Sequence, residues 1–142
     1  MAMNPAAPFA ISDLTGVGEA RRAAQWLATR MAFSETRAGQ LALVVTELAT
    51  NLARHARKGE ILLRPLDSPS ETAAIEVLAI DAGPGMSDLS LSERDGYSTS
   101  GTLGHGLGAI RRQSDEFWVY TQPSGTVIAA RVNRDPAPPA QH

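Results

Sequence analysis

Apolar positions along this 142-residue chain follow two distinct periodicities. Val17, Ala20, Ala24, Leu27 and Met31 recur at steps of three and four, which places them on one helical face and predicts a helix over about 17–33. Ser34 is a good N-cap for a second helix over about 35–56. There Leu41, Val45, Leu48 and Leu52 form a single apolar stripe. Lys58-Gly59 reads as its basic end and C-cap glycine.

The period then shortens. Ile61-Leu62-Leu63 reads as a strand, and Pro65 to Glu71 as a polar turn with two prolines. Ala74 to Ile80 reads as a second strand, with Ile75, Val77 and Ala79 alternating against Glu76 and Leu78. Leu107 to Glu116 suggests a short helix. Phe117–Thr121 and Thr126–Val132 suggest a hairpin about Pro123-Ser124-Gly125, and Phe9-Ala10-Ile11 a short edge strand before Asp13 and Gly16. Two helices, two strands, a glycine-rich loop with a short helix, and two more strands imply a two-layer α/β sandwich with helices on one face of a mixed sheet. The opposite sheet face is expected to be partly exposed. One domain over 9–133 is expected, between a flexible arm at 1–8 and a proline-rich tail at 134–142 whose composition predicts disorder.

Composition narrows the function classes. The formal net charge of −2 gives no electrostatic reason to expect nucleic acid. The absence of cysteine excludes disulfides, thiolate metal sites and cysteine nucleophiles, and fits a cytoplasmic protein. The N-terminus lacks the pattern of a signal peptide, and no apolar stretch reaches the roughly 18 residues that span a bilayer. No membrane partner is expected.

Three segments can carry chemistry. Glu47 and Asn51, four apart, share a helix face about a quarter-turn from the apolar stripe, with His55 continuing the line and Arg54 beside it. A carboxylate there can accept a proton, an amide oxygen suits Mg²⁺, and arginine and histidine suit phosphate oxygens. On the helix alone, a solvated edge is the simpler explanation. Asp81-Ala82-Gly83-Pro84-Gly85-Met86 follows an apolar strand. Its aspartate could accept a hydrogen bond from an exocyclic amine, and its glycines would let backbone approach a flat base; a tight turn explains it equally well. Residues 81–108 hold seven of the twelve glycines, more than a core-forming segment would carry. Ser98 to Gly108 leads into a helix, where freed backbone N–H groups would suit polyphosphate. Gly104-His105-Gly106-Leu107-Gly108-Ala109 has the letters of a dinucleotide fingerprint but no strand before it, and a P-loop's Gly-Lys-Ser/Thr is absent.

In order and spacing these segments resemble the GHKL (Bergerat) ATP-binding fold of gyrase, Hsp90, histidine kinases and MutL. Glu47 to Ala56 resembles its N-box, Asp81 to Met86 its D-x-G-x-G box, Gly104 to Gly108 its G-x-G-x-G lid box, and Gly125-Thr126 its late Gly-Thr. Asp95 to Gly104, followed by Asp115-Glu116-Phe117, resembles the lid region of the RsbT-type switch serine/threonine kinases, which are related to the RsbW and SpoIIAB anti-sigma kinases. The N-box departs from the commoner form at Thr50-Asn51-Leu52 and Arg54-His55.

The resemblance implies ATP and Mg²⁺ as cofactors, Glu47 as general base, and Asn51 as Mg²⁺ ligand. It implies Asp81 on the adenine amine, Gly83 and Gly85 lining the base pocket, and Thr126 supporting Asp81 through water. His55 would contact phosphate, and Gly101, Leu103, Gly104, Gly106, Leu107 and Gly108 would complete the nucleotide site. The implied function is phosphorylation of a Ser/Thr on a STAS-domain protein in a bacterial partner-switching module, with a PP2C-type phosphatase or a sigma factor as further possible partners. The alternative is a non-catalytic, ATP-dependent binding module, either an anti-sigma factor or a phosphatase activator.

Overall fold

The structure is a computed structural model describing residues 8–55, 58–69, 72–82 and 107–135, without the side chains of His55 and Gln122. In chain order the elements are β1 (Phe9–Ile11), α1 (Leu14–Arg30), α2 (Glu35–His55), β2 (Gly59–Leu66), β3 (Ala74–Asp81), α3 (Leu107–Gln113), β4 (Glu116–Gln122) and β5 (Gly125–Asn133).

The helix starts follow from side-chain caps. Asp13 accepts hydrogen bonds from the N–H groups of Thr15 (2.9 Å) and Gly16 (3.4 Å), and Ser34 Oγ accepts from Arg37 N at 3.1 Å, each satisfying donors that the first helical turn leaves open. The end of α1 differs from the expectation of Phe33. Ala32 adopts φ 62°, Phe33 N donates to Ala28 O at 2.9 Å and Ala32 N to Thr29 O at 3.1 Å. This is a Schellman stop with alanine where glycine is usual, so no glycine marked the boundary.

The strands form one sheet in the order β1-β2-β3-β5-β4. The two-layer α/β sandwich holds, but the expected mixed sheet is antiparallel at all four pairings. β3 and β4 do run in the same sense; β5 returns from its hairpin to lie between them, so no two neighbours are parallel. Strand alternation then assigns the faces. Ile61 and Leu63, Ile75, Val77 and Ala79, and Ile128, Ala130 and Val132 join Leu41, Val45, Leu48 and Leu52 of α2 and Val17, Ala20 and Leu27 of α1 in one core. All three helices among the described residues contribute to it, α3 through Leu107 and Ile110.

Other boundaries moved as well: α1 begins at Leu14, and α3 ends at Gln113 with Glu116 already in β4. β2 runs through Pro65 to Leu66, because β1 covers only 59–61 and leaves the rest of β2 as an edge, where a missing N–H is tolerated. Gly59 is not a helix cap but the first residue of β2. A Cβ there would lie 2.9 Å from Leu52 Cβ, closer than side chains pack, so glycine lets the strand run directly under α2.

Candidate functional site

One rung of the sheet sets two of the candidate residues, Asp81 and Thr126, side by side. Register pairs Ile11 with Gly59, Gly59 with Asp81, Asp81 with Thr126 and Thr126 with Thr121. Directly opposed residues project to the same side, so Asp81, Thr126 and Thr121 all face the helix layer. Asp81 is 1% exposed and Thr126 2%. The two threonine hydroxyls lie 3.2 Å apart. Carboxylate and hydroxyls thus sit where the apolar core gives out.

Helix α2 brings the other components to this rung. Because Leu52 rests on Gly59, the register partner of Asp81, the C-terminal half of α2 lies over that end of the sheet. Asn51, one residue before Leu52, is 2% exposed, and its Nδ2 has no hydrogen-bond partner among the described residues. A buried amide N–H without an acceptor costs about 1–3 kcal/mol, which makes Asn51 a candidate for holding a ligand. Glu47 lies one turn earlier, roughly 6 Å along the axis, and is half-buried.

Glycine shapes the rung a second time at Gly125. A Cβ at that position would collide with the backbone oxygen of Asp81, so β5 approaches the end of β3 as closely as it does only with glycine there. The Gly125-Thr126 pair therefore has two separate duties: close approach at 125 and a buried hydroxyl beside Asp81 at 126.

The remaining candidates divide. Leu107 is buried in the core at 1% exposure, so any contribution it makes to a ligand is through its backbone; Gly108 follows it in the first turn of α3. Gly83, Gly85, Gly101, Leu103, Gly104 and Gly106, and the side chain of His55, lie outside the described residues. Asp115 and Glu116, noted for their likeness to a lid region, do structural work instead. Asp115 Oδ2 accepts from Arg37 (2.7 Å) and from Asn133 N (2.8 Å), while Glu116 pairs with Arg131 at 2.7 Å.

Thr121 was missed by sequence reasoning, although a signal existed. A two-residue turn at Pro123-Ser124 places 121 opposite 126, and hairpin register could have been counted from that turn. Among the described residues no group of three or more His, Asp or Glu side chains could hold a metal ion. A lone amide still fits Mg²⁺, which takes few protein ligands and completes its shell with phosphate and water. No helix among the described residues is long and apolar enough to cross a membrane.

Comparison with known proteins shows the family. A family model described as the histidine kinase-like ATPase domain matches residues 11–132. The chain is 33% identical over 98 residues to the serine/threonine-protein kinase RsbT of Bacillus subtilis (strain 168), which covers 69% of this chain and 73% of that protein. The histidine kinase domain from the Erythrobacter litoralis EL346 blue-light activated histidine kinase aligns over 84% of this chain with a TM-score of 0.48 and 18% identity, and this chain spans 59% of that one. By the extent of the family match and the identity to RsbT, the chain belongs to the GHKL-type, histidine kinase-like ATPase domain family.

Proposed function

We propose that the protein is a Mg·ATP-dependent serine/threonine protein kinase of a bacterial partner-switching module. The observation that carries this is its 33% identity to RsbT over 73% of that protein's length. The site geometry supports it: a buried amide and a buried carboxylate converge at one end of the sandwich, with a second carboxylate one helical turn away.

In this reading Asp81, supported by Thr126, receives the adenine amine, and the described start of α3 leads from the glycine-rich segment that cradles the phosphates. Asn51 would hold Mg²⁺, which when bound neutralises charge on the transferred phosphoryl group. Glu47 accepts the proton of the acceptor Ser or Thr hydroxyl as its oxygen bonds to the γ-phosphorus, and the bond to the bridging oxygen breaks to release ADP. The protein substrate is a STAS-domain antagonist, and a PP2C-type phosphatase is a second partner.

The test is transfer of labelled γ-phosphate to candidate STAS-domain proteins. We expect a covalently labelled substrate, and a loss of transfer of about 10²–10⁴-fold in Glu47→Ala with ATP affinity kept. Tight stoichiometric binding with no label transferred would replace the kinase reading with that of an ATP-dependent binding module. Normal transfer by Glu47→Ala would remove the general-base role.

A further inference from the structure

Thr126 stands between two partners on its rung, Asp81 of β3 on one side and Thr121 of β4 on the other. Directly opposed side chains on one face have Cβ atoms about 4.5–5.5 Å apart, and the two threonine hydroxyls close that gap to 3.2 Å. Thr126 is 2% exposed, whereas Thr121, on the edge strand, is exposed among the described residues. The hairpin keeps the two threonines in register by setting Gln122 opposite Gly125, and the close approach of Gly125 to the Asp81 backbone fixes the hairpin against β3. All three side chains are thus carried on strands, which position groups more precisely than loops do.

What this row offers a ligand depends on where its protons lie. A threonine hydroxyl has one proton and two lone pairs, and a carboxylate has lone pairs only. If Thr126 gave its proton to Thr121, the buried part of the row would present acceptors alone, with Thr126 lone pairs set against the Asp81 carboxylate where the low local dielectric makes that costly. If Thr121 is the donor, water satisfies the lone pairs of the exposed hydroxyl and Thr126 keeps its proton. The row then presents an acceptor at Asp81 beside a donor at Thr126. That pattern complements an amidine edge, an exocyclic N–H group adjoining a ring nitrogen, as on a 6-aminopurine. A 6-oxopurine carries the reverse pattern, a carbonyl adjoining a ring N–H, and would meet acceptor with acceptor and donor with donor. A water between Thr126 and the ring passes on the same sense, accepting one proton and donating another.

We propose that Thr121 is a positioning residue for base selection: its hydroxyl donates to Thr126 Oγ1 and so turns the Thr126 proton toward the base. This rests on the adenine role given above to Asp81 and Thr126. Thr121 acts through Thr126, without touching the base, and sharpens the preference for a 6-amino over a 6-oxo purine nucleotide.

Calorimetric titration of the full chain with ATP and with inosine triphosphate, its 6-oxo counterpart, tests this, with far-UV circular dichroism confirming folding. The wild-type chain is expected to prefer ATP. Thr121→Val keeps the β-branched shape that suits a strand and replaces only the hydroxyl. It should lower ATP affinity about three- to tenfold, the worth of one uncharged hydrogen bond, and leave inosine triphosphate affinity where it was, so that the preference narrows. Thr121→Ser, which retains the hydroxyl, should restore the wild-type preference. A merely structural part for Thr121 would lower both affinities together and leave their ratio alone. A wild-type chain without the preference overturns the proposal, as does an unchanged ratio in Thr121→Val or a Thr121→Ser that behaves like Thr121→Val. Asp81→Asn separates the two levels of failure. If it weakens ATP binding and Thr121→Val leaves the ratio unchanged, the role of Thr121 alone falls; if neither variant affects ATP, the base does not lie on this row and both readings fall.

Discussion

The two ends of α2 are built on opposite rules. At its N-terminal end Arg37 spends its donors on partners within the fold: Asn133 O at 3.0 Å, Gln40 Oε1 at 2.8 Å and Asp115 Oδ2 at 2.7 Å. Asp115 Oδ2 accepts Asn133 N as well. This latch ties α2, the α3–β4 turn and the end of β5 together. At the C-terminal end Asn51 is as deeply buried as a core leucine, yet Nδ2 has no acceptor among the described residues. A satisfied polar cluster adds rigidity, whereas an unsatisfied buried group costs stability in the free protein. The difference separates a polar cluster satisfied within the fold from a buried amide left without an acceptor among the described residues.

Substitutions at the two ends should therefore have opposite signatures. The largest effect is expected from Asp81→Asn, which should lower ATP affinity about 100-fold, a loss of ~2–3 kcal/mol for a hydrogen bond to a charged group. The melting temperature without nucleotide should move little. Titration calorimetry with a parallel thermal melt reads both, and a large fall in apo stability with affinity intact would collapse the contrast. Next in size is Arg37→Ala, which removes the guanidinium donor from Asp115 Oδ2 and Asn133 O. About 2 kcal/mol of stability should go, while nucleotide affinity measured well below the melting temperature stays the same. If the affinity fell with the stability, the latch would belong to the site. The smallest effect sharpens the structural end: Ala32→Gly should stabilise by roughly 0.5–1 kcal/mol by relieving a left-handed alanine, seen as a rise in denaturant midpoint at unchanged slope.

Much of the fold was written locally. The 41/45/48/52 stripe, the 75/77/79 alternation and the Ser34 cap required nothing beyond neighbouring residues. What escaped was non-local. The end of α1 lies at an alanine forced left-handed by packing, and Gly59 looks like a helix stop until α2 is placed above it. The antiparallel sense of the sheet depends on β5 returning between β3 and β4. In the site, Asn51 and Asp81 could be named from their boxes, and Thr126 from its Gly-Thr pair. The meeting of Asp81 and Thr126 on one rung needed strand register. The latch was invisible, since Arg37 reaches Asp115 across 78 positions and Asn133 across 96, and no local pattern encodes such a meeting.

Gly59 has a consequence for how this protein can vary. Between α2 and the sheet the usual spacer is a side chain, and the layer separation follows its size. At the rung beneath Leu52 the spacer is absent, and backbone meets side chain directly. The depth at which Asn51 sits relative to Asp81 is thus set where the Leu52 side chain rests on the Gly59 backbone. The helix rests on a fixed datum, where any added side chain would have to displace it.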